Sequence, residues 1–271
     1  MEIHLSYHFK PFLRKYGRWL LPVSILLIFL IWLAVSHWAR LPHFILPSPG
    51  RVVMRFWQAV VDGSLLRHTL YTLLEVVLGM GAGVFLATLL GYALARSPLL
   101  EKTLSPYLVA SQAVPVVAIA PLLVIWFGPG LGSKVIICAL TVFFPVLVNT
   151  IVGLRAVPRE LRELMHSLRA DRRQMLRFLE IPAALPIFLG GLRIGATLSV
   201  IGAVVGEFVG SDRGLGFLVN IGRNQYDTAL VFVALLTLVV LALGLYCGVV
   251  LAEKRLLAFT MERNGETDVY T

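Results

Sequence analysis

Two cysteines in 271 residues, Cys138 and Cys247, stand alone inside apolar runs, with no Cys-x-x-Cys spacing and no histidine pair beside either. That scarcity excludes a disulfide framework and a zinc site, and leaves both as packing residues. Charge is scarce as well: 14% of residues are Asp, Glu, Lys or Arg, where soluble domains carry about a quarter. With a mean hydropathy of +0.84, a soluble globular domain is excluded. Catalytic groupings are lacking too. The six histidines are scattered, no His-Glu-x-x-His, Ser-His-Asp or paired-carboxylate pattern occurs, and "GPGLGSK" at 128–134 lacks the Gly-Lys-Ser/Thr ending of a phosphate loop. Neither a catalytic residue nor a metal ligand is expected. The net charge of +9 would suggest nucleic acid in a soluble chain, but here the basic residues fall between apolar runs, where they set membrane topology, so no nucleic-acid partner is expected.

What the chain has in abundance is long apolar runs. Six of them, roughly 19–38, 69–95, 104–127, 133–153, 186–210 and 229–252, approach the ~20 residues that span a bilayer core at 1.5 Å per residue. The expected fold class is an all-α polytopic membrane protein with six transmembrane helices. The first run is too long for the apolar part of a signal peptide and stays as a span. An even number of spans puts both termini on one side. A cytoplasmic N-terminus assigns Lys10, Arg14, Lys15, Arg18, Arg96, Lys102, Arg155, the arginines of 159–177, Lys254, Arg255 and Arg263 to the inside. It leaves only Arg40, Arg51, Arg55, Arg67, Lys134, Arg213 and Arg223 outside, which is the orientation the positive-inside rule selects.

Between the first two runs, Pro47 and Pro49 precede Val52, Val53, Phe56, Trp57 and Val60 at helical spacing, which predicts a short amphipathic helix in the outer interface. The fifth run carries Gly191, Gly195, Ser199, Gly202, Gly206 and Gly210 on one helical stripe. Such a stripe permits close helix packing, or leaves room for a solute. Ionisable residues inside runs cost at least about 2.5 kcal/mol on insertion scales; Glu75, Arg193 and Glu207 are of this kind. Structure is the expected role of Glu75 and Arg193, while Glu207 is open to either an interfacial structural role or a transport role. Ser111, Gln112 and Asn149 lie near Pro115, Pro121 and Pro145, and helices bent by proline and bearing amides suit a solute path or ordinary interhelical bonds.

One charged stretch interrupts the apolar chain: "RELRELMHSLRADRRQMLRFLEIPAALP", 159–186. After Pro158, Leu161, Leu164, Met165 and Leu168 follow the i, i+3, i+4, i+7 pattern of one apolar face. Arg169, Ala170 and Asp171 break it, and Met175, Leu176 and Leu179 resume it until Pro182, which is expected to stop the helix. Two short amphipathic helices with a turn between them are predicted, either resting on anionic lipid or forming a knob that docks in a partner's groove. The acidic residues mixed among the arginines disfavour a pure lipid anchor.

Residues 163–182 resemble the cytoplasmic signature of ABC importer permeases, Glu-Ala-Ala, three residues, Gly, nine residues, Ile-x-Leu-Pro. Glu163 takes the Glu position, Leu164 and Met165 replace the alanines, Arg169 replaces the glycine, and Leu179, Glu180, Ile181 and Pro182 close it. A glycine would enter the left-handed turn freely, whereas Arg169 does so at a steric cost. "LPSP", "SQAVPVVAIAPLLVIWFGPG", "FFPVLVNTIVGL" and "GEFVGSDRGLGFL" are similar to the branch serving nitrate, sulfonate, taurine and pyrimidine precursors. The resemblance implies a type I ABC importer permease fold in a bacterial inner membrane, with both termini cytoplasmic. It divides the chain into 1–64 (tail, first span and outer helix), 65–255 (transmembrane domain with coupling helices at 158–180) and 256–271 (tail).

It also implies partners: two ABC ATPase subunits that bind ATP and Mg, a second permease copy in a homodimer, an extracytoplasmic solute-binding protein, and lipid. This chain itself would hold no cofactor. Glu160, Arg162, Glu163, Leu164, Met165, His166, Ser167, Leu168, Arg169, Ala170 and Asp171 would couple to the ATPase, and Ser111, Gln112, Asn149, Ser199, Gly202 and Glu207 are the candidates for the path. The solute expected is a pyrimidine thiamine precursor or riboflavin-like heterocycle, with sulfonate, taurine or nitrate as the alternative. From a different class, a stand-alone ion-coupled carrier is the competing expectation.

Overall fold

The structure, a computed structural model, describes residues 10–38, 42 and 44–263, with side chains for 22–38, 42 and 44–257. The extreme tails and Arg40, on which some expectations fall, lie outside the described residues. Helices follow one another as α1 (Lys10–Trp38), α2 (Pro49–Val61), α3 (Ser64–Arg96), α4 (Pro98–Gln112), α5 (Val116–Phe127), α6 (Leu131–Arg155), α7 (Arg159–Ser167), α8 (Arg172–Met175), a π-helical turn (Leu176–Glu180), α9 (Ile181–Gly210), α10 (Leu215–Asn224) and α11 (Thr228–Arg263). No strand occurs among the described residues. Helices α7 and α8 form the knob end of the bundle, and α2, α10 and the loop at 211–214 form its far end.

Four helical stretches are long and apolar enough to cross a membrane: α3, α6, Arg172–Gly210 and Thr228–Leu257. The expected third span, 104–127, requires correction. It is a pair of helices, α4 and α5, bent by 94°. Pro115 lacks an N–H and drives Val114 out of the helical region, and the chain turns there through Ala113 N–H to Ala110 O (3.2 Å) and Val114 N–H to Ser111 O (3.3 Å). Among the described residues, four helices, or five with the bent pair counted as one span, qualify by length and composition, against six expected; α1, Lys10–Trp38, contributes the apolar stretch Pro22–Trp38 to that count only as a shorter helix.

The second correction concerns Pro182. It does not stop the helix, which runs from α8 through the π turn into α9. A proline ring in a regular helix collides with the carbonyl four residues earlier, here that of Phe178, and leaves that carbonyl without its donor. Widening the preceding turn to π geometry absorbs both problems without ending the helix.

Helix α6 is the spine, gripped by α3 on one side and α9 on the other. Both grips depend on small residues. A Cβ at Gly83 of α3 would lie 2.6 Å from Ala139 O, and one at Gly202 of α9 would lie 2.9 Å from Cys138 Cα. The stripe from Gly191 to Gly206 therefore serves close packing against α6, while Gly210 reaches past it to Val124 and Pro129. Separately, α1 is fastened to α11 by Trp32, which stacks on Phe232 at 5.4 Å and donates from Nε1 to Pro47 O (3.1 Å).

Candidate functional site

At the knob end, α7 carries no buried residue. Leu161, Leu164 and Leu168 are 44%, 54% and 69% exposed, and Met165 is half-buried beside them. Glu160, Glu163, His166 and Ser167 are exposed on the rest of the helix. An apolar ridge on a short helix surrounded by charge needs something to cover it.

The knob is rigidly seated. Arg162 donates from Nη2 to Leu154 O at the end of α6 (2.7 Å). Arg96, the last residue of α3, donates to the buried Glu180 Oε2 in the π turn (2.7 Å), and Arg155 grips Glu101 of α4 with both terminal nitrogens. Asp171 caps α8 by accepting from Gln174 N–H (2.6 Å) while Gln174 Oε1 accepts from Asp171 N–H (2.8 Å), a reciprocal pair that satisfies two otherwise orphaned donors.

The end of α7 is a Schellman turn: Arg169 N–H reaches His166 O (2.9 Å) and Ala170 N–H reaches Met165 O (3.0 Å), which places Arg169 in the left-handed region at φ +52°. The motif usually places glycine there. Arg169 adopts it at the steric cost expected from the sequence.

The path candidates separate into two groups. Ser111 and Gln112 are exposed in the last turn of α4, directly before the elbow, and Asn149 is half-buried on α6, donating from Nδ2 to Pro145 O (2.8 Å). Ser199 and Gly202, by contrast, lie buried in the seam between α6 and α9, where Ser199 Oγ donates to Ala196 O (2.7 Å) and Cys138 Sγ to Ser199 O (3.4 Å). For these two the small stripe serves packing against the neighbouring helix α6.

Glu207 is buried at the far end, in a constellation that sequence reading missed. Its Oε1 accepts from Thr72 Oγ1 (2.6 Å) and its Oε2 from Gly216 N–H. Thr72 Oγ1 in turn accepts from Leu215 N–H (2.8 Å). Lys134, expected on the outer side at the start of the fourth run, is buried in the first turn of α6, with Nζ 2.7 Å from Ser211 Oγ, to which it donates, and 3.5 Å from Glu75 Oε1. Glu75 and Glu207 fall on different helices, and nothing in the spacing of 75, 134 and 207 marks them as neighbours; only their shared oddity, a charge in an apolar run, could have flagged them. Arg193 likewise finds a partner unforeseen in sequence, Glu253 of α11 (Nε to Oε2, 2.6 Å).

Similarity to known proteins agrees with this geometry. The family model for "Binding-protein-dependent transport system inner membrane component" matches residues 79–257. Over 236 residues the chain is 49% identical to the riboflavin transport system permease protein RibX of Chloroflexus aurantiacus, covering 87% of this chain and 88% of that protein. It is 37% identical over 218 residues to the formylaminopyrimidine transport permease protein ThiX of Halalkalibacterium halodurans (80% and 86% covered). It is 31% identical over 231 residues to the taurine transport system permease protein TauC of Escherichia coli (83% and 84% covered). A helical, multi-pass chain with an exposed knob beneath a glycine-welded bundle, matched along two thirds of its length, belongs to the binding-protein-dependent family of inner-membrane components and is a permease of an ABC importer.

Proposed function

We propose that two copies of this chain form the translocation path of an ATP-driven importer for a riboflavin-like or pyrimidine heterocycle. The observation that carries the reading is the exposed Leu161, Leu164 and Leu168 ridge on a knob fixed to α6 through Arg162 and to α3 through the Arg96–Glu180 pair. Burying a fully exposed leucine contributes roughly 1.5–3 kcal/mol, so the three half-exposed leucines offer an apolar anchor to a partner, and residues 160–171 supply the surrounding charges that set its register. The partner is an ATPase subunit, one per permease copy, holding ATP and Mg. Its closure moves the knob as a rigid body, and the helix continuous from Arg172 to Gly210 carries that motion to the far end.

The knob end is cytoplasmic in this reading, as the clustered arginines favour, and a solute-binding protein delivers at the far end. The transmembrane domain is 65–255, with 1–64 and 256–271 as flanking parts. Ser111 and Gln112 at the elbow, with Asn149, line the path, and Glu207 acts by position at its extracytoplasmic end. The heterocycle preference comes from the relatives named for riboflavin and formylaminopyrimidine.

Co-purification tests the docking. Leu164→Asp with Leu168→Asp is expected to lose the ATPase subunit while the permease stays monodisperse in detergent; retention of the ATPase overturns the reading. Uptake by the reconstituted complex, offered riboflavin, a formylaminopyrimidine, taurine and nitrate, tests the solute. ATP-dependent uptake of a heterocycle is expected, and uptake of an anion alone overturns the preference. Uptake by this chain alone on a pH gradient would establish the ion-coupled carrier instead.

A further inference from the structure

We propose that Glu75, Glu207 and Lys134 hold one retained proton between them and form a neutral latch that fastens the loop at 211–216 to α3 and α6. The side chains of Glu75, Glu207 and Lys134 are 1%, 1% and 5% exposed. Two carboxylates and one ammonium leave an excess negative charge, and no other group among the described residues that face them removes it. His68 of α3 accepts a hydrogen bond at Nδ1 from Gly214 N–H (3.0 Å), so that nitrogen carries no proton and the ring is uncharged. Arg213 turns outward over Tyr71 and beside the exposed Asp212. Cys138 of α6 spends its S–H on Ser199 O. An uncompensated buried charge costs several kcal/mol, and the group takes up a proton instead.

The hydrogen bonds locate the proton. Thr72 Oγ1 has one proton and two acceptors in reach, Glu207 Oε1 at 2.6 Å and His68 O at 3.3 Å, and gives it to the nearer; with Gly216 N–H on Oε2, both Glu207 oxygens accept, as a carboxylate does. Glu75 has one oxygen 3.5 Å from Lys134 Nζ and a second, Oε2, that is buried with no partner. Protonated Glu75 becomes a donor, and the neighbouring acceptor is the Glu207 carboxylate, held by Thr72 one turn away on the same face of α3. The proton thus removes the excess charge and satisfies the orphan oxygen together.

What the cluster fastens is the strap between α9 and α10. Three successive backbone N–H groups, of Gly214, Leu215 and Gly216, end on His68, Thr72 and Glu207, and Ser211 receives Lys134. Gly214 sits at φ +102° directly against the Glu207 carboxyl, with no room for a side chain. This strap is the far-end closure of the path, a role that rests on the orientation proposed above; the latch and its proton do not.

Both parts are tested on the detergent-solubilised permease–ATPase complex, whose sidedness is irrelevant. Infrared spectroscopy at neutral pH is expected to show a carboxylic-acid C=O band that Glu75→Gln abolishes; absence of a band lost in that variant overturns the proton. For the latch, Leu215→Cys is placed in a Cys138→Ser, Cys247→Ala background and its maleimide labelling rate measured. Glu207→Ala is expected to raise the rate about tenfold or more, since hydrogen bonds to a charged group are lost. Glu75→Gln, which mimics the protonated acid, is expected to leave the rate within about twofold. Thr72→Val, which removes a hydroxyl and little volume, serves where Glu207→Ala is not monodisperse and is also expected to raise it. Unchanged labelling in the folded variants overturns the latch. Neither readout requires transport, so a wrong solute leaves both standing.

Discussion

Arg169 shows how one residue departs from a pattern and still serves it. The Schellman turn closes with Arg169 at φ +52°, a conformation that costs an L-residue with a Cβ about 1–2 kcal/mol, partly offset in any comparison with glycine by the latter's greater freedom when unfolded. Arg169→Gly is therefore expected to stabilise the chain by roughly 0.5–1 kcal/mol, read as a raised thermal midpoint of the detergent-solubilised permease. A β-branched Arg169→Val lowers it. Two glycines of α9 make a sharper contrast. A Cβ at Gly202 would face the Cys138 backbone at 2.9 Å, whereas one at Gly190 would meet nothing within 4 Å. Gly202→Val is expected to cost about 1–3 kcal/mol or more by overpacking, and Gly190→Ala to stay within about 0.5 kcal/mol; thermal midpoints distinguish them. The stripe itself was legible, since a 3.6-residue period follows from the chain alone. That its partner is α6, with Ser199 and Gly202 buried in the seam, was not, because a helix face carries no label for what covers it.

Among elements, the continuous stretch from α8 to α9 matters most. Pro182 reads locally as a terminator, and the π turn at Leu176–Glu180 rescues the helix because α7, α8 and Glu180 are held from outside it. Arg96 is part of that hold through buried Glu180. Arg96→Met leaves the Glu180 carboxyl without its ion partner, so the π turn loosens and knob motion no longer reaches α9 in full. In the reconstituted complex, ATPase subunits are expected to stay bound and hydrolyse ATP while solute uptake per ATP falls; unchanged coupling would show that the pair is incidental. The exposed Arg155 and Glu101 pair is different in kind. Exposed ion pairs contribute about 0–1 kcal/mol, so Arg155→Gln is expected to shift the thermal midpoint little. The elbow between α4 and α5 was half legible: prolines announced a bend, but the 94° that turns one expected span into two helices depends on how Ala120 and Leu123 pack against Ile137 of α6.

For the whole molecule, the basic residues set a direction. If Arg155, the arginines of α7 and α8, and Lys254 lie in the cytoplasm, the far end with Arg213 and Arg223 does not. A fluorescent protein fused after Thr271 is expected to mature, and a periplasm-dependent phosphatase inserted at 212–213 to be active; the reverse pattern inverts the proposed orientation.

The sequence by itself determined that this chain lives in a bilayer, where its arginines cluster, where its small-residue stripe runs and which segment projects as a knob. Each of these depends on short-range quantities: the length of an apolar run against bilayer thickness, the helical period, the local density of arginine. Only the tertiary structure decided that Glu75, Lys134 and Glu207 share one site, that Arg193 meets Glu253, and that Pro182 bends a turn without ending a helix. Those outcomes follow from contacts between residues far apart in the chain, where burial turns scattered charges into obligatory partners and packing overrides local preference.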